Sequence, residues 1–487
     1  MISDTPNDLD RETCYRALQS RDGRFDGRFY TAVISTGIYC RPICPAKTPR
    51  IENCLFLPSA GAAHHLGFRP CLRCRPEAAP GSAGWRGTAG TVGRALHLIA
   101  EGGLDEAGVD RLAERLGIGS RHLRRLFDRH VGASPVAVAQ SHRILFAKRL
   151  IDETGLPMAD VALAAGFGSI RRFNDVFRRT YGRPPSQLRR NGTMAGTATD
   201  ITLRLPFTSP YDWAAMLDFL GSRAIPGVES VEDGVYRRSF LLAATPGLVE
   251  VRRPPNETHL LATIHTEAVG ILAAVVARLR RLFDLDADIA AIDAHLAGSP
   301  ELAQRIRLRP GIRVPGAWDD FELAVRAILG QQVSVAAATT MAGRLAAAYG
   351  PTLPPALGNG TVTRIFPAPA AIATADLTGI GVTGKRAAAL AGLGAALSAR
   401  PDLLAVGETL EEKVERLCRL PGIGPWTANY IAMRMLREPD AFPSADLGLL
   451  RALETSAGRP TPSALLRMAE AWRPWRAYAA LRLWTQE

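Results

Sequence analysis

The sequence contains no apolar run near the roughly 18 residues that a membrane-crossing helix requires. Its opening, Met1-Ile2-Ser3-Asp4-Thr5-Pro6, is polar and acidic and lacks the basic-then-apolar order of an export signal. A soluble, cytoplasmic protein is therefore expected, with no membrane partner. Cysteine is almost absent beyond the first 74 residues: Cys14, Cys40, Cys44, Cys54, Cys71 and Cys74 lie within them, and only Cys418 lies later. An odd count of seven without an export signal argues against a disulfide framework and favours metal binding by the clustered members.

At 487 residues the chain is too long for a single core, and with 47% hydrophobic residues it can build several. The net charge of +12 is uneven: residues 1–200 carry 29 Lys+Arg against 19 Asp+Glu, and the remainder 30 against 28. A basic excess that is nearly all arginine suits a polyanionic partner, or equally a solvated arginine-rich surface. Two small-residue stretches, Ala78-Ala79-Pro80-Gly81-Ser82-Ala83-Gly84 and Asn191-Gly192-Thr193-Met194-Ala195-Gly196-Thr197, read as linkers. Between them Gly117-Ile118-Gly119-Ser120 recurs as Gly166-Phe167-Gly168-Ser169, Phe127 as Phe177, Gly132 as Gly182 and Pro135 as Pro185, so one helical unit is present twice. Beyond residue 200, Ile201–Leu205 and Gly247–Arg252 alternate like strands, and segments 211–220 and 269–283 are helical in pattern. From about 317 Ala/Leu-rich helices dominate, with Phe321, Val325, Ile328 and Leu329 on one face. The expected fold is multi-domain α+β. It comprises a four-cysteine zinc domain (1–80), an all-α double helix-turn-helix (88–190), a small TBP-like α+β domain (200–312) and an all-α helix-hairpin-helix domain (313–487).

Cys40-x-x-x-Cys44 and Cys71-x-x-Cys74 are two close thiol pairs, the donor set that tetrahedral zinc takes, and one zinc ion is expected there. Cys14 and Cys54 read instead as buried small apolar residues. Gly37-Ile38-Tyr39-Cys40-Arg41-Pro42-Ile43-Cys44 and Gly67-Phe68-Arg69-Pro70-Cys71-Leu72-Arg73-Cys74 resemble the N-terminal domain of the Ada-type adaptive-response proteins, over residues 8–77. The resemblance implies that Cys40, a zinc ligand, also accepts a methyl group irreversibly from a DNA methylphosphotriester; spacing alone does not distinguish it from the other three. Zinc would then be both structural and catalytic. Four thiolates on Zn²⁺ carry −2 and methylation leaves −1, a change that favours DNA. Arg41, Lys47, Arg50, Arg69, Arg73 and Arg75 are candidates for a phosphate-facing surface.

In the repeat, Val109, Leu112, Ala113 and Leu116 mark a first helix face, Gly117 the turn, and Ser120 the cap of a second helix whose Leu123, Leu126 and Phe127 face inward. Arg121, His122, Arg124 and Arg125 are left outside. The second copy has Val161, Ala162 and Ala165, then Gly166, a Ser169 cap, and Ile170, Arg171, Arg172 and Asn174 outside. A second helix with basic and amide side chains suits a major groove, so Arg121, Arg124, Arg171 and Arg172 are candidate DNA contacts. Residues 91–190, with Gly166-Phe167 and Tyr181-Gly182-Arg183-Pro184-Pro185, resemble the AraC-type DNA-binding domain. As an activator such a protein would bind operator DNA and meet RNA polymerase, and a monomer is expected.

Leu420-Pro421-Gly422-Ile423-Gly424-Pro425-Trp426-Thr427-Ala428 is a glycine-bounded turn into a helix. It can offer backbone N–H groups to a phosphate through Gly422 and Gly424. With Asp446 twenty residues later it resembles the helix-hairpin-helix glycosylase superfamily. Pro210-Tyr211-Asp212-Trp213, Arg326–Val335 and Arg473–Tyr478 narrow the resemblance to the AlkA-type 3-methyladenine DNA glycosylases over residues 201–487. This implies that damaged double-stranded DNA is the substrate. Trp426, Tyr430, Trp484 and, more weakly, Phe219 would line a pocket for a flipped cationic base, and Asp446 would face the sugar. Bifunctional members carry a lysine before the Thr-Ala of the hairpin motif. Here Trp426 stands there, so base removal without strand cleavage is expected. Two positions depart from the family: Gln332 replaces the usual inserting leucine, and Leu447 the aromatic after the aspartate. No Pro-Cys-His acceptor motif for O6-methylguanine occurs. The alternative is a methyl-responsive regulator whose C-terminal half binds damage without turnover.

Overall fold

A computed structural model describes residues 10–78, 90–104, 108–189, 200–358, 360–382, 384–401, 403–405, 409–456 and 458–485. Nearly all of both expected linkers lies outside these residues.

The N-terminal module opens with helix Arg11–Ser20, capped by Asp10, whose carboxylate accepts from Thr13 N at 2.8 Å. Four strands follow: β1 (Tyr30–Val33), β2 (Ile38–Cys40), β3 (Cys54–Leu57) and β4 (Arg69–Pro70), in sheet order β3-β1-β2-β4. The β2–β4 pairing is parallel, with Ile38 opposite Arg69 and Tyr39 opposite Pro70. Cys40 ends β2 and Cys71 directly follows β4, so this register brings the two cysteine pairs side by side. Cys14 and Cys54 are fully buried against Phe29 and Phe56, away from the other four.

Six helices form the repeat: Gly90–Ala100, Val109–Leu116 and Ser120–Val131, then Pro135–Glu153, Met158–Ala164 and Ile170–Tyr181. Gly117 (φ 73°) and Gly166 (φ 76°) make the turns in the left-handed region that side chains disfavour. Ser169 caps as expected, accepting from Arg172 N at 3.2 Å. Ser120 does not: Gly119 is the N-cap and Ser120 the first helical residue, without a capping bond. A shift of one residue moves its hydroxyl away from the free N–H groups it would satisfy.

Strands β5 (Asp200–Pro206), β6 (Glu229–Glu232), β7 (Val235–Leu242), β8 (Thr245–Arg252) and β9 (His259–His265) form an antiparallel sheet in the order β5-β9-β8-β7-β6. Ile201, Leu203 and Leu205 alternate inward from β5 toward helices Trp213–Gly221 and Leu272–Leu282. One continuous core joins this sheet to the second helix-turn-helix, from Ile144 through Phe177 to Trp318. The two halves of the chain thus share a hydrophobic core. Polar contacts add to it: Glu153 accepts from Arg204 N at 2.8 Å, Arg28 pairs with Asp288 at 3.2 Å and Arg437 donates to His97 at 2.8 Å.

A second large core runs from Ala215 to Leu483. Helix Asp320–Leu329 is central to it. Only one apolar face was expected, yet eight of its ten residues are buried, Glu322 among them. Glu322 is tolerated because Arg238 of β7 and Arg326 bind it, at 2.6 and 3.2 Å.

Candidate metal centre and nucleic-acid interface

The sulfurs of Cys40, Cys44, Cys71 and Cys74 all lie within 4.8 Å of one another, with Cys44 and Cys71 at 3.9 Å. Tetrahedral zinc with Zn–S near 2.3 Å sets sulfur separations of about 3.8 Å, so the donor set fits the ion. Arg41 N donates to Cys74 Sγ at 3.3 Å. Cys40 is the least buried of the four, at 9% exposure against 5, 7 and 7%, a distinction that spacing could not supply.

The expected basic surface is only partly free. Arg41 is taken up by Asp26 and by Cys74 O, and Arg75 by Glu77 and Asp152 at 3.2 and 2.9 Å. Arg41 braces the module internally and Arg75 ties it to helix Pro135–Glu153, so neither faces phosphate. Lys47, Arg50, Arg69 and Arg73 are exposed. On the recognition helices Arg121, Arg124, Arg125, Ile170, Arg171 and Arg172 are exposed, whereas His122 and Asn174 are half-buried.

In the C-terminal half a groove of about 1420 Å³ runs between the turn after helix Asp320–Leu329 and the glycine hairpin at 422–424. Gly422 has φ 79°, and a Cβ there would lie 2.4 Å from Ala389 Cβ. Gly424 has an ordinary φ of −90° and open space where its Cβ would be. It is the N-cap of helix Pro425–Arg434 and leaves that helix N-terminus open to an anion. Gln332 stands exposed on the opposite rim with φ 56°, beside Val333. Its neighbour Gln331 donates to Gly422 O at 2.7 Å and Thr427 Oγ1 at 2.9 Å, tying this turn to the hairpin. Gln331 escaped the sequence reading because its partners lie more than 90 residues away.

Asp446 caps helix Leu447–Ala452, accepting from Leu449 N at 3.0 Å. Its oxygens also accept from Trp484 Nε1 at 2.8 Å and Trp426 Nε1 at 2.9 Å. Three N–H donors converge on it, an environment suited to an acceptor-only group such as an ionised carboxylate. Trp426 stacks on Tyr430 at 5.5 Å with 8° between planes, and Trp484 tilts against Tyr430 at 6.3 Å. Burial alone would raise the Tyr430 phenol, but Arg434, donating to it at 2.7 Å, and Arg223 hold it below its ordinary value. Asp446, Trp426, Tyr430 and Trp484 therefore meet on the groove wall with Leu447, which is 58% exposed. Phe219 is not among the groove-lining residues: it is half-buried, with the guanidinium of Arg223 3.9 Å and that of Arg434 4.9 Å from its ring centroid.

Four family models match successive parts of the chain. They are the metal binding domain of Ada over residues 13–77, a helix-turn-helix domain over 112–191, the AlkA N-terminal domain over 202–319, and the HhH-GPD superfamily base excision DNA repair protein over 325–477. Among solved structures, 3-methyladenine DNA-glycosylase from Archaeoglobus fulgidus shares the fold of the C-terminal half, with TM-score 0.51 and 23% identity over 58% of this chain and 96% of that one. DNA-3-methyladenine glycosylase 2 of Escherichia coli is 36% identical over 287 residues, covering 58% of this chain and 96% of the relative. A probable bifunctional transcriptional activator/DNA repair enzyme AlkA of Mycobacterium tuberculosis is 44% identical over 482 residues, 98% of this chain and 96% of the relative. With one cysteine centre, a helix-turn-helix pair and a glycine-hairpin groove in the order that this relative's length spans, the chain belongs to its family, the bifunctional AlkA-type activator and DNA repair proteins.

Proposed function

We propose that this protein releases alkylated bases such as 3-methyladenine from double-stranded DNA as a monofunctional N-glycosylase, and that its N-terminal half is a methylation-responsive transcription regulator. The observation that carries the first part is the Asp446 carboxylate, fixed by two indoles and a helix N-terminus on the wall of the groove. The flipped base lies against Trp426, Tyr430 and Trp484, whose faces attract positive charge by about 0.5–2 kcal/mol per ring. As the glycosidic bond breaks, its electron pair leaves with the base and positive charge develops on the sugar. Asp446 faces that charge without having to reorganise, because its donors already hold it. Gln332 fills the gap left by the nucleotide, and the Gly422–Gly424 backbone holds a phosphate. Trp426 cannot form a Schiff base, so the strand is left intact.

In the N-terminal half Cys40 attacks the methyl carbon of a methylphosphotriester. The S–C bond forms, the C–O bond breaks, and the electron pair goes to the phosphate oxygen as a phosphodiester anion. Bound zinc supplies the charge that keeps the four sulfurs ionised. The methylated centre carries one less negative charge, and the recognition helices with Arg121, Arg124, Arg171 and Arg172 then hold operator DNA more tightly. In this reading the protein acts as a cytoplasmic monomer that meets RNA polymerase at the operator.

The test is release of 3-methyladenine from methylated duplex DNA by wild type and by Asp446→Asn. An amide at 446 turns one donor toward the indole N–H groups and lacks the charge. Release is expected to fall by about 10²–10³-fold or more, with DNA binding retained. No release by wild type would remove the enzymatic reading and leave a regulator carrying a damage-binding half.

A further inference from the structure

Gly448 lines the groove beside Asp446 and Leu447, as the second residue of helix Leu447–Ala452. No positive φ demands a glycine at this position; the space around it does. A Cβ there would lie 2.9 Å from Asp446 Oδ1, 3.1 Å from Trp484 Cδ1 and 3.3 Å from Trp484 Nε1. These atoms belong to the two ends of one hydrogen bond, the 2.8 Å contact from the indole N–H to Oδ1. A methyl group at 448 would therefore press on donor and acceptor together. The helix itself has little room to yield, because its next residues, Leu449 and Leu450, are buried in the core. Trp484 can yield: it is half-buried and is the last residue of helix Arg476–Trp484.

An ionised carboxylate has about four acceptor sites, two on each oxygen. Oδ1 of Asp446 accepts from Leu449 N and from Trp484, which fills it, whereas Oδ2 accepts from Trp426. The acceptor site that remains is on Oδ2. We infer that Gly448 is a positioning residue for base release: the bare backbone at 448 lets the Trp484 indole close on Oδ1, and this commits Asp446 to act through Oδ2. The inference rests on the glycosylase reading of the groove. Without the Trp484 bond, Oδ1 regains a free site, and only Trp426 and Leu449 N fix the rotation of the carboxylate. Positive charge developing on the sugar then meets a carboxylate that must first settle, which is the reorganisation that the indole clamp removes. Gly448 acts through Asp446 and needs no contact with the DNA, so its effect falls on the rate of release and not on duplex affinity.

The experiment measures single-turnover release of 3-methyladenine from methylated duplex DNA, with duplex affinity and thermal unfolding, for wild type, Gly448→Ala, Trp484→Phe and the double variant. Trp484→Phe keeps a ring and removes the N–H. Gly448→Ala is expected to slow the saturated rate by about 10–100-fold, the scale of one hydrogen bond to a charged group, with duplex affinity within about 2-fold of wild type. Trp484→Phe should be slowed as well. The double variant should lose little beyond the slower single variant, because both substitutions break the same bond. A wild-type rate in either single variant, a loss carried by affinity instead of rate, losses that multiply in the double variant, or a Gly448→Ala chain that no longer folds would each overturn the inference. No release by wild type would instead overturn the glycosylase reading beneath it.

Discussion

Substituting the two hairpin glycines with alanine should separate stability from DNA contact, because the structure gives each a different reason to be glycine. At Gly422 the backbone has φ 79°, which costs a residue bearing a Cβ about 1–2 kcal/mol. The added methyl would also lie 2.4 Å from Ala389 Cβ, where an unstrained contact needs more than 3.4 Å. Relieving that overlap means shifting the hairpin or helix Gly384–Ala399, an overpacking cost of about 1–3 kcal/mol. Gly422→Ala should therefore lose about 2–5 kcal/mol. At about 2–4 °C per kcal/mol for a domain of this size, its unfolding midpoint should fall by roughly 4–20 °C. At Gly424 φ is −90° and nothing lies within 4 Å of the added Cβ. Gly424→Ala should cost at most about 1 kcal/mol, through the weaker N-cap. Its methyl, however, occupies the space before the helix N-terminus where a phosphate would sit, so affinity for duplex DNA should drop while the fold persists. Thermal unfolding and a titration of duplex DNA read the two effects separately. Equal destabilisation by both variants, or a Gly422→Ala protein as stable as wild type, would refute the geometric argument.

Glu322→Ala strands Arg238 and Arg326 in the core with one carboxylate, Glu229, between them. Denaturant unfolding should register a loss of about 3–5 kcal/mol, whereas breaking the exposed Arg111–Glu114 pair should cost less than about 0.5 kcal/mol. Burial, reinforced by Arg437, pushes the His97 imidazole down to about 3. The unfolded chain therefore binds the proton first as acid is added. Stability should be full above the unfolded value near pH 6.5 and fall toward pH 3, by about 1.4 kcal/mol per pH unit for one such histidine. Comparing denaturation midpoints at pH 7 and 5.5 for wild type and His97→Gln should show a shallower fall in the variant. Cys44→Ser or Cys74→Ser should release the zinc ion in a chromogenic chelator assay, whereas Cys54→Ser, whose thiol donates to Arg50 O outside the cluster, should keep it.

The legible parts of this protein were those whose chemistry is local. Two thiol pairs three and four residues apart announce a metal site because short loops cost little entropy to close. Gly117 and Gly166 announce turns because their backbone conformation excludes other residues. The Gly422–Gly424 hairpin was legible within one short stretch of chain, and Asp446 through the resemblance to the helix-hairpin-helix glycosylases that it completes. Packing across distant elements decided the rest. Ser120 lost its cap to Gly119 by one residue of phase, which helix packing sets. Arg41 and Arg75 looked like phosphate ligands until the fold laid Asp26 and Asp152 beside them. Phe219, the weaker candidate for the base pocket, packs its ring against Arg223 and Arg434. The donors that fix Asp446 come from Trp426 and Trp484, 20 and 38 residues away. The residue types and their short-range spacing determined which chemistries the chain could carry. Tertiary structure decided which charged groups are left free to carry them, because a buried charge must find a partner and only packing determines which groups lie within reach.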